Sequence, residues 1–343
     1  MADDDRNVDA NRGEDRGSGP GPAVELAYAG IGTFLKAPQR DVKALSDEQV
    51  AVLGVPYDGA VSNRPGARYG PAAIRRESGW WAYLGGYKGG LTNLQTGREV
   101  DLSAISIADC GDVPVFPMDH ERTGEAIRTH VAAAASTGAF PVLLGGDHYC
   151  TYPAFRGFAA GAGHDHVGLV QIDAHSDTVS ESAVFGAEFH GSSTNLIAES
   201  DRGDYSSVAQ VGLRGYESPG FFEFAEDVGM DVQTARNARE RGIEESVRRA
   251  LDAAGEGTNS IYVTFDVDAV DPSAAPGTGT PVPGGLTADE ALRVVETLGA
   301  DERVGALDLM EVAPNYDPTE TTPRLAASLL VTALERRFAE VGG

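Results

Sequence analysis

The sequence predicts an α/β protein: three layers, α/β/α, around a mainly parallel sheet of about eight strands. Three observations carry that prediction. Seven short runs are apolar on both faces, as strands covered on each side must be. Helical stretches separate them, which is how parallel strands are connected. No interdomain linker or internal repeat breaks the pattern, so the 343 residues read as one large domain. A βα barrel is the rival by strand count, and the lack of a regular repeat length counts only a little against it.

Taken in order, residues 1–22 are rich in Asp, Arg and Gly without apolar periodicity. They read as a disordered acidic tail ahead of a single domain over 23–343. The apolar runs fall at 50–55, 103–108, 140–144, 166–172, 208–213, 260–265 and 304–309, with room for an eighth strand. Helical candidates lie at 119–136, 151–160, 217–227, 238–254, 287–298 and 322–340.

Composition excludes several functions. Asp and Glu number 52 against 27 Lys and Arg, a net charge of −25 that repels nucleic acid and anionic lipid. No run approaches the ~18 apolar residues of a membrane span. The acidic, apolar-poor start is no secretory signal, so a cytoplasmic location is expected. The cysteines, Cys110 and Cys150, are too few for a disulfide scaffold or a cysteine-rich zinc fold. Lys36, Lys43 and Lys88 are the only lysines, and so acidic a surface suits a protein from a salt-loving source.

In an open parallel sheet, ligands sit beyond the carboxyl ends of the strands. Run 140–144 is followed by Gly145-Gly146-Asp147-His148, and run 166–172 by Asp173-Ala174-His175-Ser176-Asp177. Run 260–265 leads into Asp266-Val267-Asp268, and run 304–309 into Met310-Glu311. Spacing by two puts Asp173, His175 and Asp177 on one side of an extended segment, and likewise Asp266 and Asp268. Carboxylates aimed together repel, and a cation between them resolves the repulsion. Four carboxylates with His148 and His175 are too many for one tetrahedral zinc and suit two octahedral-leaning ions. Mixed imidazole and carboxylate donors point to two Mn(II), with Fe, Co, Ni and Zn left open. Such a pair shares bridging carboxylates and a bridging hydroxide. These ligands are expected on three adjacent strand ends.

These segments resemble the ureohydrolases, the family that includes arginase and agmatinase. The matching pieces are Gly145 to His148, Asp173 to Asp177, His190-Gly191, Thr264 to Pro272 and Met310-Glu311-Val312. Asn63 to Pro71 and Ala275 to Pro281 join them. The resemblance implies an arginase-like fold, a dinuclear manganese centre and hydrolysis of a guanidino compound to urea and an amine. Carried over, His148 and Asp177 hold one ion, His175 and Asp268 the other, and Asp173 and Asp266 bridge. Glu311 pairs with the substrate guanidinium and His190 shuttles the proton. Asp177 also accepts a hydrogen bond from the hydroxide. A homotrimer or homohexamer is implied by the same resemblance.

The residues rank the substrates. Positions where arginases carry an Asn and a Ser that read the amino acid carboxylate are Val179 and Gly186 here, and Gly212 to Glu217 keeps at most one of two acids. Agmatine is therefore the expected substrate, with guanidinobutyrate or guanidinopropionate behind it and arginine last. One departure bears on this: the stretch after His190 reads Gly-Ser192-Ser-Thr-Asn195, so Ser192 and Asn195 are taken as substrate-binding. Outside this class stand a zinc deacetylase-like enzyme, which uses fewer ligands at one ion, and a non-catalytic scaffold, which would have lost ligands. Asp147 and Asp271-Pro272 are expected in turns, Cys150 in a helix-start core and Cys110 buried. His164 and His166 are expected to be solvated or structural. Trp80 and Trp81 suit either a pocket mouth or a subunit contact.

Overall fold

The chain enters a central sheet at β1 (Val50–Gly54) and leaves it through α1 (Gly70–Lys88). A small antiparallel hairpin, β2 (Leu91–Thr92) with β3 (Glu99–Val100), precedes β4 (Ile107–Asp112). Then come α2 (His120–Ala135), β5 (Phe140–Leu144), α3 (Thr151–Ala162), β6 (Val167–Ile172) and α4 (Ser193–Ala198). After β7 (Val208–Leu213) follow α5 (Phe221–Asp227), β8 (Asp231–Thr234), α6 (Ala235–Arg241) and α7 (Ile243–Gly255). The chain ends with β9 (Ser260–Asp266), α8 (Ala288–Gly299), β10 (Val304–Met310) and α9 (Thr321–Phe338). This computed structural model describes residues 25–339, so the acidic tail expected over 1–22 lies outside the described residues.

The sheet has eight parallel strands in the order β4-β1-β5-β10-β9-β6-β7-β8. Its faces bury separate cores. On one, Ile74, Val247, Val294 and Leu329 bring in α1, α7, α8 and α9. On the other, Ile127, Phe155, Ile197 and Ala225 bring in α2 to α5. This is the expected three-layer arrangement, and no helix among the described residues is long and apolar enough to cross a membrane.

Strands β5 and β7 occupy the two runs read at 140–144 and 208–213. Helix starts follow capping chemistry: Asp119 accepts from Arg122 N–H at α2, and Thr287 and Glu290 form a capping box at α8. Run 103–108 is corrected: a 3-10 turn, Leu102–Ala104, occupies its start, and the strand runs on to Asp112. Arg75 holds it there, with Nε 2.9 Å and Nη2 3.0 Å from the buried Asp109 carboxylate. The helix expected over 238–254 is two, because Gly242 between them has φ 105°. The helix expected from 217 starts at Phe221.

Helix α1 has no counterpart among the expected elements. Gly79, Gly85 and Gly86 weaken its pattern. Gly79 earns its place by close approach, since a Cβ there would lie 2.9 Å from the Ala27 carbonyl.

Candidate metal centre

The site lies at the carboxyl ends of the four central strands, β5, β10, β9 and β6. The expected adjacency of the three ligand-bearing strands is corrected, because β10 separates β5 from β9 and brings in Glu311. His148 sits in a 3-10 turn after β5. Gly146 lets that turn pack, since a Cβ there would overlap the Tyr57 carbonyl. Asp173 follows β6 directly, and Asp266 closes β9 while its carboxylate accepts from Asp268 N–H at 2.7 Å. Asp177 and Glu311 hold left-handed backbone, φ 51° and 64°, a conformation that costs energy at non-glycine positions and clusters at functional sites.

Five of the six expected ligands fall into two groups, and Asp177 adjoins the first through His148. His148, Asp173 and Asp266 form one, and Asp173, His175 and Asp268 the other. His148 Nδ1 lies 3.0 Å from Asp173 Oδ2, 3.0 Å from Asp177 Oδ2 and 3.2 Å from Asp266 Oδ2. That buried nitrogen nonetheless makes no hydrogen bond, while Nε2 sits 2.8 Å from Thr264 Oγ1. His175 Nδ1 is 3.1 Å from Asp268 Oδ2 and 3.6 Å from Asp173 Oδ1. An orphaned imidazole nitrogen ringed by three carboxylate oxygens is the donor set of a cation. The residues fit two ions, with Asp173 the ligand common to both. Asp266 falls in the first group alone.

Electrostatics agree. Burial, and then neighbouring carboxylate charge, pushes Asp177, Asp266 and Asp268 above the usual carboxylate range. Burial opposes charge on Asp173 too, but the His148 and His175 imidazoles facing it hold its carboxyl below that range. Burial likewise opposes charge on His175, yet Asp173 and Asp268 raise it to about 12. So many buried acids need positive charge among them, which bound cations supply.

A cavity of about 190 Å³ opens over these groups. Ser62, Val179, Phe189, His190, Glu217 and Thr280 line it beside the ligands. Larger grooves, of about 550 and 780 Å³ beside α1, hold neither ligand group. Glu311 is 1% exposed: Oε1 accepts from His148 N–H at 3.0 Å and faces His190 Nδ1 at 2.9 Å, whereas the buried Oε2 has no partner. Ser62 N–H donates to His190 Nε2 at 3.0 Å, so the hydrogen of a neutral ring sits on Nδ1. Burial works against charge on His190, but the Glu311 hydrogen bond and charge push it up to about 9.

Sequence reasoning missed Ser62, Glu217 and Thr280 as cavity residues. Ser62 immediately precedes the quoted Asn63 stretch, and Glu217 is the surviving acid of its motif, so both had a signal. Thr280 Oγ1 donates to Asp268 Oδ2 at 3.1 Å from within the quoted stretch ending at Pro281. The structure does not bring Ser192 and Asn195 to the cavity wall. Ser192 Oγ bonds Phe189 N and O, closing its own turn, and Asn195 Oδ1 accepts from Tyr205 O–H at 2.8 Å.

Asp147 sits at the head of its turn, but its side chain makes no cap hydrogen bond there; it accepts from the distant Ala60 N–H at 2.8 Å, and burial followed by the Glu311 charge pushes it up to about 7. Asp271 accepts from Ser273, Gly284 and Gly285 N–H, as a turn residue does. Cys150 is buried, whereas Cys110 is only partly so, contrary to expectation. Trp80 and Trp81 lie on α1 under the Arg324 guanidinium and do not line the cavity.

Comparison with known proteins follows the same lines. Proclavaminate amidinohydrolase of Streptomyces clavuligerus is 35% identical over 308 residues, 89% of this chain and 93% of that protein. An agmatinase of Escherichia coli O7:K1 is 34% identical over 316 residues, 90% and 94% of the two chains. The solved structure of the Streptomyces clavuligerus proclavaminate amidinohydrolase superposes with a TM-score of 0.79 at 32% identity, covering 91% of this chain and 99% of that one. The family model described as "Arginase family" matches residues 48–335, and with its two ligand groups in place the chain belongs to the arginase family of ureohydrolases.

Proposed function

We propose that the enzyme hydrolyses agmatine, or a close guanidine ending in an amine, to urea and the shortened amine. The observation that carries this reading is the buried Glu311 carboxylate, whose Oε1 meets His190 and the His148 amide while its Oε2 stays unpaired. A guanidinium N–H is the donor that such an acceptor lacks.

His148 and Asp177, with Asp173 and Asp266, would hold one ion, and His175 and Asp268, with Asp173, the other. Nitrogen and oxygen donors in this mixture suit manganese. Bound ions of this kind lower the pKa of water toward about 7 and supply the nucleophile that a resonance-stabilised guanidinium requires.

The chain's own residues do the rest. Glu311 Oε1 is held by the His148 amide and His190, leaving Oε2 to orient the guanidinium. Glu311 thereby offers the guanidinium one free oxygen rather than a bidentate pair. His190 delivers the proton that the departing amine needs, and Ser62 Oγ, 2.6 Å from Nε2, links the ring to the cavity. Val179 and Phe189 give the aliphatic chain an apolar wall. Glu217 places a carboxylate at the rim, fixed by Ser176 Oγ at 2.6 Å, where it attracts a distal ammonium. No arginine or lysine among the described residues lines the cavity to receive a carboxylate.

The likeness to proclavaminate amidinohydrolase supports a second reading, a guanidine with a different tail. Residues 23–343 act as one ureohydrolase domain in either case. The test loads the protein with Mn(II), counts ions per chain, and measures urea from agmatine, L-arginine, guanidinobutyrate and guanidinopropionate. Two ions per chain with agmatine the best substrate supports the proposal. One zinc per chain and no urea overturns it.

A further inference from the structure

Three polar side chains stand behind the metal centre where a core would ordinarily be apolar. Gln171 on β6 and Gln210 on β7 are paired in register, and Thr194 lies on α4. None is more than 1% exposed. Burying an amide is unfavourable unless its hydrogen bonds are made, and those of Gln171 are made to particular groups.

Gln171 Nε2 donates to Asp173 Oδ2 at 2.7 Å. Its Oε1 accepts from Thr194 Oγ1 at 2.5 Å and from Gln210 Nε2 at 2.6 Å. An ionised carboxylate only accepts and the Gln210 amide nitrogen only donates, so the orientation of Gln171 is fixed by its neighbours. Gln210 is held in turn by the Ser176 carbonyl at 2.6 Å. Thr194 belongs to the segment headed by His190. That segment also grips Asp177: Ser193 Oγ donates to its Oδ2 at 3.2 Å, and the Thr194 and Asn195 amides donate to its carbonyl at 3.1 and 3.2 Å.

We infer that Gln171 is a positioning residue: it orients the Asp173 carboxylate toward both metal groups and, through Thr194, ties it to the segment that carries His190. Asp173 is the side chain common to both groups, with Oδ2 facing His148 and Oδ1 facing His175. The Gln171 donor occupies one lone pair of Oδ2 and, together with the His175 backbone N–H on Oδ1 at 2.7 Å, holds the carboxylate against rotation while leaving the other Oδ2 pair free. Loss of that donor therefore disturbs both ions at once. Hydrogen-bond partners of metal ligands typically change metal affinity or activity by about 10–100-fold.

The turnover half of this inference rests on the proposed hydrolase reading; the metal half does not. The test uses the full chain and the variants Gln171→Met, Thr194→Val and Thr194→Ser. Dissociation constants for Mn(II) are read by chelator competition, alongside kcat, KM and melting of the metal-free protein. Gln171→Met should weaken Mn(II) binding about 10–100-fold. Thr194→Val, which keeps shape and removes only the hydroxyl, should leave affinity within about threefold and lower kcat about tenfold at similar KM; Thr194→Ser should restore it. Wild-type Mn(II) affinity in Gln171→Met, with or without a lower melting point, overturns the positioning role. If Gln171→Met does not fold, wild-type kcat in Thr194→Val overturns the tie to His190. A wild type that binds two ions but releases no urea from any guanidine overturns the proposed function instead, and the affinity of Gln171→Met then decides this inference alone.

Discussion

His190 Nδ1 and Glu311 Oε1 face each other at 2.9 Å although 121 residues separate them in the chain. The two arrive from different loops, one after the Asp177 segment and one from the end of β10. The His190 ring and the Glu311 carboxylate are thus one unit, and its charge balance is testable.

The Glu311 carboxylate raises His190 to about 9. In the metal-free protein, an NMR titration should show His190 protonating near that pH, and Glu311→Gln should lower the midpoint by a unit or more. The sign for stability follows. A raised folded pKa contributes stability that is complete below about 6.5, the unfolded value, and is lost as pH rises through about 9. Identical midpoints in wild type and Glu311→Gln would separate the two residues.

His190→Ala should keep both ions yet lose about 10²–10⁴ in turnover, the range of a general acid–base group. Ser62→Ala removes the cavity-side partner of the same ring but spares its Glu311 contact, and a smaller loss, about tenfold, is expected. Full turnover in His190→Ala would make the ring a bystander.

Metal counting discriminates between the carboxylates. Asp173 belongs to both ligand groups, so Asp173→Ala should hold no tightly bound ion. Asp266 lies in the first group, so Asp266→Ala should retain at most one. Elemental analysis reads both results, and two ions in Asp173→Ala would refute the shared-ligand assignment.

Substrate preference should favour agmatine over L-arginine by about tenfold or more in kcat/KM, since a missing charged hydrogen bond is worth roughly 1.5–3 kcal/mol. Glu217→Gln should raise KM for agmatine and narrow that gap. Equal kcat/KM for the two substrates would dismiss the reading of Val179, Gly186 and Glu217.

Net charge of −25 implies self-repulsion that salt relieves. Melting temperature should climb from dilute to molar KCl. A flat or falling curve would argue against adaptation to high salt.

Much of the site was legible in the chain because it follows a local rule. Apolar runs such as Phe140–Leu144 and Val208–Leu213 announce doubly covered strands, and acids or imidazoles just beyond such runs announce what gathers at the sheet's edge. His148, Asp173, His175, Asp177, Asp266 and Asp268 all follow that rule, and all converge. Pairing order does not, because it depends on which distant strands meet. Hence β10 comes between β5 and β9, and Glu311 meets His190. The same limit applies to loops: Ser192 and Asn195 follow His190 directly but turn away, while Ser62, 128 residues from it, closes on its ring. Gln171 shows the reason most clearly. Within an apolar run a glutamine looks like an interruption, and its three partners, Asp173, Thr194 and Gln210, converge only once β6, β7 and α4 have packed together.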